Sequence, residues 1–300
     1  LDGEMADDLA GADVGGAGDI DGDDLDDLVI GAIGVSDLAG RAYAVLGKAD
    51  ADPVTLGATG SGFSMTGDSA GDRVGISVAG GGDINGDGLD DLVIGALNAG
   101  PGDDGQVYVM FGKVGGAPVD PTNPGAAGFV IDNGSGLGLG RAVDIAGDVN
   151  GDGFADIVVG DDDGHSYVIF GRTDADDVDL DFLGDDGFEI GGGDDDLAFF
   201  VSGGGDVNGD GLDDMVVGSS SEGSYVVYGK VDATPVSVEN LDGTDGYVLV
   251  GDGRDVAIIS DMNGDGLDEV AVADPQADVG GQQGAGRVYV LFGVRTEAAR

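Results

Sequence analysis

Cysteine is absent from the 300 residues, which excludes disulfides, thiolate metal sites and a cysteine nucleophile. Lys and Arg number only 11 against 60 acidic residues, for a formal net charge of −49. Such a polyanion repels nucleic acid and anionic lipid, so neither is an expected partner. No apolar run approaches the roughly 20 residues of a membrane span, and no membrane insertion is expected. Glutamate is scarce too: six of the 60 acids are Glu, so the other 54 are Asp. Asp suits turns and oxygen-ligand loops, whereas Glu suits helices. With 64 glycines and no 3.6-residue apolar stripe, the chain reads against a helical architecture. The opening LDGEMADDLAG is not a signal peptide, and the lack of an initiator Met suggests a processed or excerpted chain. Secretion stays open, because calcium can replace disulfides as a staple. What the chain does have is 41% hydrophobic residues, enough for a core and too many for wholesale disorder.

That hydrophobic material is arranged in repeats. One motif occurs five times: DIDGDDLDDLVIG from Asp19, DINGDGLDDLVIG from Asp83, DVNGDGFADIVVG from Asp148, DVNGDGLDDMVVG from Asp206 and DMNGDGLDEVAVA from Asp261. A second follows each copy: AYAVLGK from Ala42, VYVMFGK from Val107, SYVIFGR from Ser166, SYVVYGK from Ser224 and VYVLFGV from Val288. A third, such as GFSMTG from Gly62 and GFVIDNG from Gly128, opens the next copy, and a fourth, such as RVGISVAGG from Arg73, precedes the acidic loop. Four short runs rich in Val, Ile, Tyr and Phe, bounded by Gly and Asp, read as four strands per unit. Serial four-stranded units are the mark of a β-propeller, whose blades cover one another's faces. The expected fold is therefore all-β: one propeller domain over 1–300, with units at roughly 9–71, 72–138, 139–196, 197–251 and 252–300.

Each acidic loop has the make-up of a cation site. Counting from its first Asp, positions 1, 3 and 5 carry oxygen side chains in every copy: Asp19, Asp21 and Asp23; Asp83, Asn85 and Asp87; Asp148, Asn150 and Asp152; Asp206, Asn208 and Asp210; Asp261, Asn263 and Asp265. Position 6 is Gly in four copies and Asp24 in the first, a place for a sharp turn. Position 7 (Leu25, Leu89, Phe154, Leu212, Leu267) offers a backbone carbonyl while its side chain packs. Most copies have acids at both positions 8 and 9, but the third has Ala155 at 8 and Asp156 at 9. The closing ligands are accordingly Asp27, Asp91, Asp156, Asp214 and Glu269. Hard oxygen donors at this density suit Ca²⁺, about five ions in all, rather than Mg²⁺. An EF-hand is excluded, because it needs a bidentate Glu at position 12, where this chain has Ile30, Ile94, Val159, Val217 and Val272. The neighbouring runs favour strands, so the loop sits in a hairpin. Unneutralised carboxylates within ~6 Å of one another resist ionising together; a cation would clamp the turn and let the adjacent strand bury. Five such ions would bring the charge only to −39, so the loops account for part of the acidity.

The combination Asp-x-Asn-x-Asp-Gly-x-x-Asp, a buried strand, then VMFG, VIFG or VLFG resembles the FG-GAP repeats of integrin α-subunits and their bacterial relatives. The resemblance covers nearly the whole chain. It implies a propeller with calcium in the loop joining the first two strands of each blade, and an extracellular or cell-surface setting in adhesion or carbohydrate-associated proteins. Propellers of the family usually have seven blades and five units are visible here, so the ends share a blade in a five-bladed ring or the chain is part of a longer propeller. The expected role is a non-enzymatic binding module for a protein or carbohydrate ligand, with Gly116 to Gly128 and Ala273 to Gly286 as candidate loops. The rivals are a calcium-dependent polysaccharide-active enzyme and a scaffold segment of a larger surface protein. No nucleophile elbow, P-loop or paired-His motif is present. The single His165 reads as a strand residue, and Lys48, Lys113, Arg172 and Lys230, each after an FG-like turn, as local partners for carboxylates.

Overall fold

The computed structural model describes residues 2–50, 52–58, 62–113, 124–132, 138–192, 197, 199–219, 223–249 and 255–296. Its strands form five sheets. The first runs Ala10–Gly18, Asp27–Ala32, Arg41–Val45, Gly62–Thr66, each strand antiparallel to the next. The second runs Val74–Gly82, Asp91–Ala96, Gln106–Met110, Gly128–Asp132 in the same way. The third holds Ala142–Gly147, Asp156–Gly160, Ser166–Ile169 and Gly187–Gly191, and the fourth Phe200–Gly205, Asp214–Gly218, Ser224–Val227 and Gly246–Leu249. The fifth has three described strands, Asp255–Ile259, Glu269–Asp274 and Arg287–Leu291. The fold is thus all-β and built of propeller-type blades, each acidic loop joining the first strand of a sheet to the second. Helical geometry among the described residues is confined to turns of three or four residues, and Val35–Leu38 has left-handed backbone at Ser36 and Asp37.

Two tiny strands extend this plan. Val178–Asp179, from the third repeat, pairs parallel with the outer strand of the second sheet. Val236–Ser237, from the fourth, pairs parallel with the outer strand of the third sheet. Each caps an edge that would otherwise display unpaired backbone groups.

The chain divides into two compact units, Leu1–Asp144 with Gly171–Leu183, and Ile145–Phe170 with Gly184–Arg300. In the first, Val29, Phe63 and Met65 pack with Ile94, Tyr108 and Met110 from the second sheet. In the second, Val158, Val168 and Phe188 pack with Met215, Val217 and Tyr225, while Val216 and Val226 pack with Val256, Val270 and Val272. In the second, third and fourth sheets the second strand is covered on both faces, and every residue of Asp91–Ala96, Asp156–Gly160 and Asp214–Gly218 is buried. That is why LVIGA, IVVG and MVVG are continuous apolar runs rather than alternating ones.

The FG-like turn completes each blade. Phe111 meets Phe129, Phe170 meets Phe188 and Tyr228 meets Tyr247, in each case edge-to-face at 6.0 Å. An outer-strand aromatic also receives a base from the next repeat: Lys113 Nζ lies 4.4 Å from the Phe63 ring centre, Arg172 Cζ 5.4 Å from Phe129 and Lys230 Nζ 4.9 Å from Phe188. The carboxylate partners expected from sequence exist as well, at Lys48–Asp50, Arg172–Asp174 and Lys230–Asp232. Arg172 and Lys230 therefore do two jobs, of which only the ion pair is visible from sequence. His165 stands just before its strand, with Nδ1 3.5 Å from Asp161 and Nε2 3.8 Å from Glu189.

Candidate metal centres

The five loops share one hydrogen-bond plan. The position-1 carboxylate is its hub: one oxygen accepts from the position-4 N–H (Gly22, Gly86, Gly151, Gly209, Gly264) at 2.6–2.8 Å. The other accepts from position 6 (Asp24, Gly88, Gly153, Gly211, Gly266) at 2.8–3.0 Å. These bonds hold the Asp19 and Asp261 carboxyls below their ordinary value, the N–H groups of Asp24 and Gly266 contributing most. The position-5 carboxylate accepts from the position-7 N–H at 2.9–3.0 Å. Such wrapping requires left-handed backbone at positions 4 and 6. It runs from φ 76° at Gly86 to 93° at Gly211 where the residue is Gly, and Asp24 adopts φ 66°, as Asp does more readily than most residues.

Position 3 lies between these acids. Asn85, Asn150, Asn208 and Asn263 each donate from Nδ2 to the position-5 carboxylate at 2.9–3.1 Å. In the first loop position 3 is Asp21, and its Oδ1 is buried without a hydrogen-bond partner. Burial, then the charges of Asp23 and Asp19, push that carboxyl up. Among the described residues, Asp19, Asp21 and Asp23 each offer an oxygen within 4.8 Å of the others, as do Asp261, Asp265 and Glu269.

The position-9 acids turn inward and are the most deeply buried charges of the loops. Asp27, Asp91, Asp156, Asp214 and Glu269 are at most 2% exposed. Each accepts from the position-2 N–H of its own loop, at 2.6–3.0 Å. Asp27, Asp91 and Asp214 use the second oxygen to accept from the FG-turn glycines Gly47, Gly112 and Gly229 at 2.6–2.9 Å. Burial outweighs these bonds and raises the Asp91 carboxyl to about 7 and that of Asp214 to about 8. A buried carboxylate with two N–H donors and no counter-charge is the donor a cation would complete.

The position-8 acids, left open by the motif, reach the preceding repeat, and Asp268 uses its other oxygen to accept from the N–H of Asp261 in its own loop at 2.9 Å. Asp90, Asp213 and Asp268 accept from the position-1 N–H of the preceding repeat: Asp19, Asp148 and Asp206, at 2.8–2.9 Å. Position-7 side chains vary in burial, from Leu267 at 4% exposed to Leu25 at 37%. Of the candidate partner loops, residues 116–123 lie outside the described residues. The second borders an open cleft of about 550 Å³ lined by Asp255, Ala273, Pro275, Gly286, Arg287 and Val288.

Two segments, residues 74–110 and 253–291, match the FG-GAP repeat family model. Integrin alpha pat-2 of Caenorhabditis elegans is 28% identical over 235 residues, covering 70% of this chain and 18% of that protein. Its Caenorhabditis briggsae counterpart is 38% identical over 104 residues, 35% of this chain and 8% of that one. Integrin alpha-IIb of Mus musculus is 30% identical over 148 residues, 47% and 14% respectively. The chain therefore spans less than a fifth of the length of these relatives. Among solved structures, Saccharomyces cerevisiae Sqt1 aligns with 89% of this chain and 59% of its own, at a TM-score of 0.45 and 12% identity. Each of the two matched segments runs from a first strand through an acidic loop to a third strand, so the unit that this chain writes five times over is similar to the FG-GAP repeat, and the chain resembles integrin α-subunits.

Proposed function

We propose that this chain is a calcium-stabilised, non-enzymatic binding module that works outside the cell or at its surface, and that its ligand is a protein or a polysaccharide. The observation that carries the calcium reading is the inward-facing acid at position 9: five buried carboxylates closing five loops, each already walled by the oxygens of positions 1, 3 and 5. The unpartnered Asp21 Oδ1 is the kind of atom that an ion satisfies. With an ion bound, positions 1, 3, 5 and 9 and the position-7 carbonyl supply its oxygens, within the six to eight that Ca²⁺ accepts. The position-3 amides would offer it Oδ1, which in the second, third and fourth loops accepts from the position-5 N–H at 2.8 Å. Calcium then supplies the positive charge that the loops lack, and the hairpins close without mutual repulsion.

The binding role and the setting rest on the integrin α likeness. The five loops are near-equivalent, so none has chemistry the others lack, as an enzyme's would. The cleft beside Ala273–Gly286, with Arg287 as a cation on a strongly anionic chain, is the described surface best suited to an acidic partner. Thermal unfolding in EDTA against millimolar CaCl₂ tests the calcium reading: a melt well below that of the loaded protein is expected, and an identical melt would remove the structural role of the ion. Calcium-dependent capture on glycan and matrix-protein arrays tests the binding role, and turnover of any glycan would favour the polysaccharide-active rival.

A further inference from the structure

The position-8 acids do something that the cation-loop pattern does not ask of them. Asp213 reaches the third loop, where its Oδ2 accepts from the Asp148 N–H at 2.8 Å while its own N–H donates to the Asp148 carbonyl at 3.1 Å. The same two-way grip joins Asp90 to Asp19, at 2.8 and 3.2 Å, and Asp268 to Asp206, at 2.9 and 3.1 Å. Three times over, the residue held is position 1, the hub on whose carboxylate the loop is wound.

Two further contacts recur beside each grip. The residue after the FG turn donates its N–H to the position-2 carbonyl of the preceding loop: Lys113 to Ile20 at 2.7 Å, Lys230 to Val149 at 2.8 Å and Val294 to Val207 at 2.9 Å. The position-7 leucine covers the preceding loop's position-4 glycine, so that a Cβ at Gly22 would lie 3.2 Å from Leu89 Cδ2, and one at Gly151 or Gly209 2.9 Å from Leu212 or Leu267. Space for the carboxylate is also kept clear. A Cβ on Gly18 would fall 2.0 Å from Asp90 Oδ2, and one on Gly147 2.1 Å from Asp213 Oδ2. Both glycines have positive φ, 62° and 74°.

We propose that Asp90, Asp213 and Asp268 are positioning residues that grip the loop of the preceding repeat, not cation ligands of their own, and that they couple ion occupancy of one loop to docking of the next repeat. This rests on the calcium reading above. Position 1 is fixed from outside by the next repeat and winds its own loop from inside, so its carboxylate is pre-set for an ion only while the grip holds. In the ion-free loop the gripping carboxylate lies against residues of its own charge sign; a divalent ion turns that repulsion into attraction. What the docked repeat does for ion affinity, the ion must return to docking. Ala155, with no carboxylate, is the one position-8 residue unable to grip in this way.

The full chain with Asp213→Ala, and separately Asp213→Asn, tests this against Asp210→Ala, which removes a proposed ligand of the fourth loop. Ions are counted by native mass spectrometry at saturating calcium, half-saturation is read from a calcium titration, and exchange of the Asp148 amide is followed by NMR. D213A is expected to keep the wild-type ion count, to need about tenfold more calcium (about 1.4 kcal/mol) for half-saturation, and to lose protection at Asp148. D213N, which keeps one accepting oxygen, should fall between, and D210A should bind one ion fewer. A D213A count lower by one would make Asp213 a ligand and overturn the proposal, as would unchanged half-saturation with unchanged Asp148 protection. If the wild type takes up no calcium, the calcium reading and the coupling both fail, and the grip alone is decided by the Asp148 amide.

Discussion

Replacing Asp214 by Asn should make the ion-free protein more stable at alkaline pH and the calcium-loaded protein less so. In the bare loop the Asp214 carboxyl titrates at about 8 instead of 3.8, chiefly because it is buried. At about 1.4 kcal/mol per tenfold in proton affinity, holding that carboxylate ionised at pH 9 costs the fold on the order of 5 kcal/mol. Asn removes the charge but can accept only one of the two N–H groups, from Val207 and Gly229, that Asp214 satisfies; that loss is worth about 1–3 kcal/mol. The balance favours D214N by roughly 2–4 kcal/mol at pH 9 in chelator, a rise of roughly 5–15 °C in the melting temperature. The folded carboxyl holds its proton more tightly than the unfolded one. The ion-free fold is therefore best served below about pH 4 and loses this contribution as pH climbs through about 8, so the advantage of D214N should vanish by pH 5. In millimolar calcium the order should invert, since the wild type gains an ion there and the variant does not. The assay is thermal unfolding by circular dichroism at pH 5, 7 and 9, in EDTA and in CaCl₂. A D214N melt no higher than wild type at pH 9 in EDTA would mean that the buried Asp214 carboxylate carries no such cost.

Three further outcomes are expected. Gly147→Ala forces a Cβ to 2.1 Å from the Asp213 carboxylate at φ 74°, and urea unfolding should show a loss of about 2–4 kcal/mol. Lys230→Gln removes the cation from the Phe188 ring and the ion pair with Asp232, and should lower stability by about 0.5–1 kcal/mol in the same assay. Raising NaCl from 0.05 to about 1 M in EDTA should raise the melting temperature, because self-repulsion of a chain at −49 is screened within about 3 Å at that ionic strength.

Much of this was legible in the sequence because the chain states it five times. The period gave the sheets, the bounded apolar runs gave their strands, and positions 1, 3 and 5 gave the loop walls. What stayed hidden lies between repeats, where no single motif carries the information. The motif fixes that position 8 is dispensable, through Ala155, but not that Asp90, Asp213 and Asp268 reach the loop before their own. The basic residue after each FG turn has a carboxylate nearby in sequence, whereas Phe63, Phe129 and Phe188 lie 50, 43 and 42 residues upstream of Lys113, Arg172 and Lys230. Val178–Asp179 and Val236–Ser237 are two residues each, too short to leave an alternating pattern. Asp24 could be read as a left-handed residue only because Gly stands there in the other four loops.

Divalent ions are expected to complete all five loops. Anomalous diffraction from crystals grown in millimolar CaCl₂ measures this directly. The expected result is a peak in each loop, within about 2.3–2.6 Å of the position-1, 3, 5 and 9 oxygens and the position-7 carbonyl. Featureless density at Asp91 and Asp214, in a protein otherwise folded as described, would contradict it.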